Sequence, residues 1–190
     1  MHGPATPGWL LVALCAVSGA YCVARMRSCA GEARSAAAGE AVMGFGMAAM
    51  AVPAAVVVAP PSWAWLPYAV LFGAVGLRAL WAARASRSGA HHLHHLVGSL
   101  AMVYMALTMS PLPAGGHGEH GGPPGGGGVP LVTGALLVYF TAFALRTGAR
   151  LVPVAAPAGG PAPPWGARPE MALACRASMG VAMVAMLLTV

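Results

Sequence analysis

Charge is what this sequence has least of. Only 7% of its 190 residues are charged, against about 25% in a soluble domain. A water-facing surface cannot be made from so few charges, so most of the surface must face lipid. Lysine is absent: all ten basic residues are Arg, set against four acidic ones for a net charge of +6. These Arg sit at the ends of apolar runs, which suits lipid headgroups and membrane topology rather than nucleic acid. Carboxylates are too few for paired acid/base hydrolysis, and no Walker loop, G-x-S-x-G or H-E-x-x-H occurs. No enzyme is expected. The four cysteines, Cys15, Cys22, Cys29 and Cys175, include no C-x-x-C pair, and a disulfide framework is not expected. No positive residue precedes the first apolar run, Trp9 to Ala24, while Arg25 and Arg27 follow it. A cleavable signal has the reverse order, so this run reads as a retained helix.

What the sequence does have is hydrophobic length, 58% of its residues. A spanning helix needs about 20 mostly apolar residues. Six segments qualify, at 8–24, 38–59, 62–83, 91–110, 129–146 and 170–190, the first and fifth being short. The expected fold is all-α: a single polytopic membrane helix bundle over 1–190. The links 111–128 and 147–169 are rich in Gly and Pro and read as flexible. Arg25, Arg27 and Arg34 fall in the first link, Arg84 and Arg87 in the third, and Arg146, Arg150 and Arg168 in the fifth. Positive residues resist translocation, so those links face the cytoplasm and both termini lie outside. Arg78 and Arg176 lie near inner helix ends and can snorkel. Trp63 and Trp65 mark the outer interface, and Trp81 the inner one.

The second, fourth and sixth helices share a pattern. Each contains M-x-x-M: Met47/Met50, Met102/Met105 and Met183/Met186. Seven residues before each pair stands a polar residue, Glu40, His95 or Arg176. Spacings of three, four and seven share one helical face. The stripes are Glu40, Met43, Met47 and Met50; His91, His95, Met102, Met105 and Met109; and Met171, Cys175, Met179, Met183 and Met186. All three run the same way, which suggests helical hairpins packed around a Met-lined axis. Pro53 is expected to bend the second helix.

Thioether and thiolate sulfurs are soft ligands for cuprous copper, and imidazole also binds copper. Met residues at matching depths suit passage of such an ion by weak, multiple contacts. His91, His92, His94, His95 and Cys175 stand at the inner mouth of this candidate path, and His117, Glu119 and His120 lie in the outer loop. Met is equally a flexible apolar filler, so a non-catalytic scaffold or accessory subunit, with the stripes only packing, is the competing reading. The HHLHH cluster also suits an interfacial, pH-titrating group. Glu40 and Arg176 reach similar depth, where they serve either as a structural ion pair or as a proton or ion relay. Cys15 and Cys22 read as small packing residues, and Gly44/Gly46 and Gly73/Gly76 as close-packing surfaces. A haem- or quinone-linked redox subunit is a third reading, although the membrane His lie on one helix and a bis-His haem needs two. The implied partners are the lipid bilayer and metal ions.

The residues GEAVMGFGMAAMAVP (39–53), HHLHHLVGSLAMVYMA (91–106) and CRASMGVAMVAM (175–186) resemble an uncharacterised actinobacterial family of small polytopic membrane proteins, a domain of unknown function. The resemblance covers nearly the whole chain, and His cluster followed by M-x-x-M is its most specific piece. It implies a helical bundle in a bacterial plasma membrane. It implies no activity, cofactor or functional residue.

Overall fold

A computed structural model describes residues 5–52, 65–85, 89–109, 129–151 and 168–189. They form six helices: α1 (Ala5–Met26), α2 (Gly31–Met50), α3 (Trp65–Ala85), α4 (Gly89–Met109), α5 (Pro130–Ala149) and α6 (Pro169–Leu187). The all-α expectation holds. Its boundaries need correcting, because apolar runs and helices end for different reasons. α1 has 22 residues and α5 has 20, so neither is short. Arg25 and Arg146 stop the apolar run, but the helix continues through them, and a cation in the last turn suits the carbonyl end of the helix dipole. α2 starts at Gly31 rather than 38, taking in Glu32, Arg34 and the good helix formers Ala33, Ala36 and Ala37. Gly31 has φ 57° and turns the chain out of the α1 end, a conformation that glycine adopts without strain. α2 closes at Met50, where the Ala51 N–H donates to the Met47 carbonyl at 2.9 Å. The bend expected at Pro53, the outer His loop, Trp63 and the linker 152–167 lie outside the described residues. α5 and α6 both open on proline, whose missing N–H costs nothing in the first turn.

Among the described residues, four helices are long and apolar enough to cross a membrane: Thr6–Met26, Trp65–Arg84, Pro130–Ala149 and Pro169–Leu187. They carry large exposed side chains such as Leu10, Leu66, Trp81, Leu131, Val138 and Val181, the surface that lipid would cover. The chain is a membrane protein. α2 and α4 fall short of that apolarity: α2 holds Glu32, Arg34 and Glu40, and α4 starts with the His cluster.

The chain divides into two compact units. One contains α1, α2, residues 137–149 of α5, and α6 to Met186. In it, α1 and α2 pack antiparallel at glycine distance. A Cβ on Gly44 would sit 3.0 Å from the Gly19 Cα and N and 3.1 Å from the Cys15 carbonyl oxygen. Gly180 of α6 lies against Phe143 and Ala144 of α5, at 3.3 Å from such a Cβ. The other unit contains α3, α4 and residues 130–136 of α5. Here Gly76 meets Ser99, with 3.3 Å from an added Cβ to the Ser99 Cβ. Gly44 and Gly76 therefore are close-packing positions. Gly73 is not, since a Cβ there meets open space.

A hydroxyl pair ties α4 to the start of α5. Tyr104 Oη lies 2.8 Å from Thr133 Oγ1 and 3.4 Å from the Val129 carbonyl oxygen. Tyr104→Phe is expected to cost about 1 kcal/mol of stability, the worth of a typical hydrogen bond. Thermal unfolding in detergent reads this, and Thr133→Ala should add little on top of it.

Candidate functional site

The most polar place in the α1–α2–α6 unit is built around one carboxylate. Glu40, in the second turn and a half of α2, is 4% exposed. Arg176 of α6 donates from Nε to Glu40 Oε1 at 2.7 Å. Arg25 of α1 donates from a terminal guanidinium nitrogen to Oε2 at 3.4 Å. The Cys22 thiol, one turn before Arg25, lies 3.7 Å from the same Oε2. Cys175 of α6, a half-buried thiol, is the residue before Arg176. Three helices thus meet on one carboxylate, two guanidinium groups and the Cys22 thiol. Glu40 offsets only one of the two cations, which leaves the cluster with an excess of one positive charge. Both Arg reach it from helix positions near the charged ends, and the Arg176 side chain is 30% exposed.

The contacts also fix the running direction of the helices. Ser18 Oγ lies 3.0 Å from Ser178 Oγ, and Ser178 is further held by the Cys175 carbonyl oxygen at 2.8 Å. Going from Arg25 at the ion cluster back to Ser18, α6 advances from Arg176 to Ser178. Going back to Cys15, α2 advances from Glu40 to Gly44. α2 and α6 therefore run in the same sense, opposite to α1, and are joined by the Glu40–Arg176 ion pair. Their stripes climb together from the ion cluster. Met43 and Met179 stand about one turn above it, and Met47 and Met183 about two turns, or about 10 Å, above it. Met50 and Met186 come next. All six are buried, and so is Cys15 of α1. The unit therefore buries sulfur side chains on α1, α2 and α6.

The α4 stripe belongs to the other unit. Met102, Met105 and His95 are buried there, while His92 and His94 are half-buried. The His94 and His95 rings are 6.2 Å apart. The His91 side chain lies outside the described residues. Among the described residues no group of three or more His, Cys, Asp and Glu converges in a way that would hold a metal ion. The HHLHH cluster thus receives no support as a metal centre. All four cysteines are free thiols.

Two members of the cluster were read differently from sequence. Cys22 looked like a packing residue and Arg25 like a topology marker in a loop. A signal was present: Cys15, Ser18, Cys22 and Arg25 recur at three, four and three residues, a polar and sulfur-bearing face on an otherwise apolar helix.

A family model described as a domain of unknown function (DUF5134) matches residues 32–190. It takes in Glu40, Cys175, Arg176 and all three Met stripes, and it leaves out α1 with Cys22 and Arg25. No curated protein and no solved structure matches the chain.

Proposed function

The chain belongs to that family of unknown function, and from its own side chains we propose that it is a multi-pass protein of the bacterial plasma membrane that binds cuprous copper and passes it along the buried sulfur side chains of the α1–α2–α6 unit. The observation that carries this reading is the burial of eight sulfur side chains, Cys15, Cys22, Met43, Met47, Met50, Met179, Met183 and Met186, on three helices of one unit. Such donors favour a soft monovalent ion over hard cations. Repeated weak thioether sites at one-turn intervals let an ion enter and leave.

In this proposal all six helices cross the bilayer, with both termini outside. α2 packs antiparallel along α1, whose own length suffices to span. The polar residues that lower the apolarity of α2 are Glu32 and Arg34 near its end and Glu40, which is already paired. Pairing reduces the cost of carrying a charge into lipid.

Copper(I) uptake into proteoliposomes tests this reading. Vesicles containing the full chain should take up copper under reductant, and a Met47→Leu/Met179→Leu/Met183→Leu variant should fall to the level of empty vesicles. Met-to-Leu swaps keep side-chain volume and usually cost less than about 1.5 kcal/mol, so the variant should fold. Uptake that is unchanged in the variant, or absent from the wild type, overturns the proposal. Met102→Leu examines the α4 stripe separately.

A second reading has its own observation. Gly44 holds α1 against α2 at backbone contact, and Glu40 ties α1 and α6 to α2. That construction suits a rigid scaffold or accessory subunit in which Met only packs. It predicts no copper uptake by any variant.

A further inference from the structure

We propose that the Arg25–Glu40–Arg176 cluster is a binding site for the phosphate of one anionic phospholipid. The site is independent of the copper reading and uses none of the methionines.

Charge comes first. Glu40 sits between two guanidinium groups, and the three sum to one surplus positive charge. An uncompensated charge among packed helices is costly. A phosphodiester headgroup carries one negative charge and brings the sum to zero. Just outside the cluster, Arg27 and Arg34 are exposed and outnumber Glu32, which is exposed as well, so the approach is also basic.

Donor capacity is the second argument. A guanidinium group carries five N–H donors in a fixed fork. Arg176 meets Glu40 through Nε, and its terminal nitrogens have no partner among the described residues. Arg25 meets Glu40 through one terminal nitrogen, which leaves its Nε and its other terminal nitrogen unpartnered among those residues. Such paired N–H groups match phosphate oxygens bidentately. The Arg176 and Arg25 side chains are 30% and 15% exposed, so the unused donors are reached from the Arg176 side.

Depth identifies the phosphate as that of a lipid. The α1 span, Thr6–Met26, has 21 residues. That is about 30 Å of helix, the thickness of a hydrocarbon core. Arg25 is the next-to-last residue of the span, so the cluster lies where acyl chains give way to headgroups. The turns of α2 before Glu40 agree. Glu32, Ala33, Arg34 and Ser35 are all exposed, as suits chain that has left the hydrocarbon. A lipid phosphate is already at this depth, whereas a free phosphate ion would have to leave bulk water. Basic sites between spanning helices hold anionic headgroups in this way.

Native mass spectrometry of the full chain in detergent tests the site. The probes are phosphatidylglycerol, phosphatidylcholine with the same acyl chains, and inorganic phosphate. Wild type should retain one phosphatidylglycerol and hold phosphatidylcholine at least about fivefold more weakly. Arg25→Gln and Arg176→Gln should each weaken phosphatidylglycerol about fivefold, the worth of one basic group at an anionic membrane surface. Arg84→Gln removes a cation from the last turn of α3, in the other unit, and should leave binding unchanged. Glu40→Gln should bind phosphatidylglycerol about fivefold more tightly, because the competing carboxylate is gone. A ligand of the folded state also stabilises it. Phosphatidylglycerol should therefore raise the unfolding temperature of wild type above its value with phosphatidylcholine, a comparison that stands should a variant fail to fold.

Phosphatidylcholine held as tightly as phosphatidylglycerol overturns the site. So does an equal loss in Arg84→Gln, which would mean diffuse surface charge, or full binding by Arg25→Gln and Arg176→Gln. An unfolding temperature indifferent to phosphatidylglycerol has the same force. Inorganic phosphate that displaces the lipid would assign the cluster to a soluble anion and overturn the lipid proposal.

Discussion

Glu40→Gln is expected to lower the stability of the α1–α2–α6 unit by about 3 kcal/mol. Among the described residues Glu40 is the anion paired with Arg25 and Arg176, and its amide replacement removes the negative charge between two partly buried cations. Removing one partner of a buried ion pair typically costs about 3–5 kcal/mol, because the other charge stays desolvated. The lower end applies here, since Arg176 is partly exposed and can swing toward the headgroups. Unfolding titrations in mixed micelles measure the loss. A Glu40→Leu/Arg25→Leu/Arg176→Met variant should recover most of it, because replacing a whole buried ion cluster by apolar groups is often neutral. A stability unchanged in Glu40→Gln would mean that the ion pairs hold nothing together.

Gly44→Val is expected to cost about as much, roughly 3 kcal/mol, at the upper end for overpacking a tight site. The new Cβ would meet backbone on three atoms, at 3.0 Å and 3.1 Å, and backbone of a neighbouring helix cannot rotate away. α1 and α2 must separate, and with them Cys22 and Arg25 move off Glu40. Gly19→Ala is the control. Its Cβ would face only the Phe45 ring at 3.3 Å, and a side chain can give way by that amount. Measured side by side, Gly44→Val should unfold well before Gly19→Ala. Equal stability of the two would refute a backbone-contact hairpin.

Much of the architecture was legible without coordinates, because burial in lipid imposes simple rules. Six apolar stretches gave six helices, and the M-x-x-M spacing gave stripes that are buried rather than lipid-facing. Helix ends were less legible. Arg25, Arg34 and Arg146 were assigned to links because they break an apolar run, yet all three are helical. Hydropathy reports where lipid stops, whereas backbone hydrogen bonding continues into the interface. Cys22 was missed for a related reason. A thiol on an apolar helix carries no charge or strong hydropathy signal, and only its three-four-three spacing with Ser18 and Arg25 distinguished it.

What the amino-acid order determined by itself is the membrane class, the helical elements and the face on which each Met lies. These follow from local quantities: the length of apolar runs, the 3.6-residue turn and the cost of exposing backbone to lipid. Which helices share a unit, and which partner Glu40 takes, was decided only in three dimensions. Arg25 is 15 residues from Glu40 and Arg176 is 136 residues from it. Their meeting depends on glycines that let α1 and α2 touch and on where α6 docks, and no periodicity along one helix encodes contact with another.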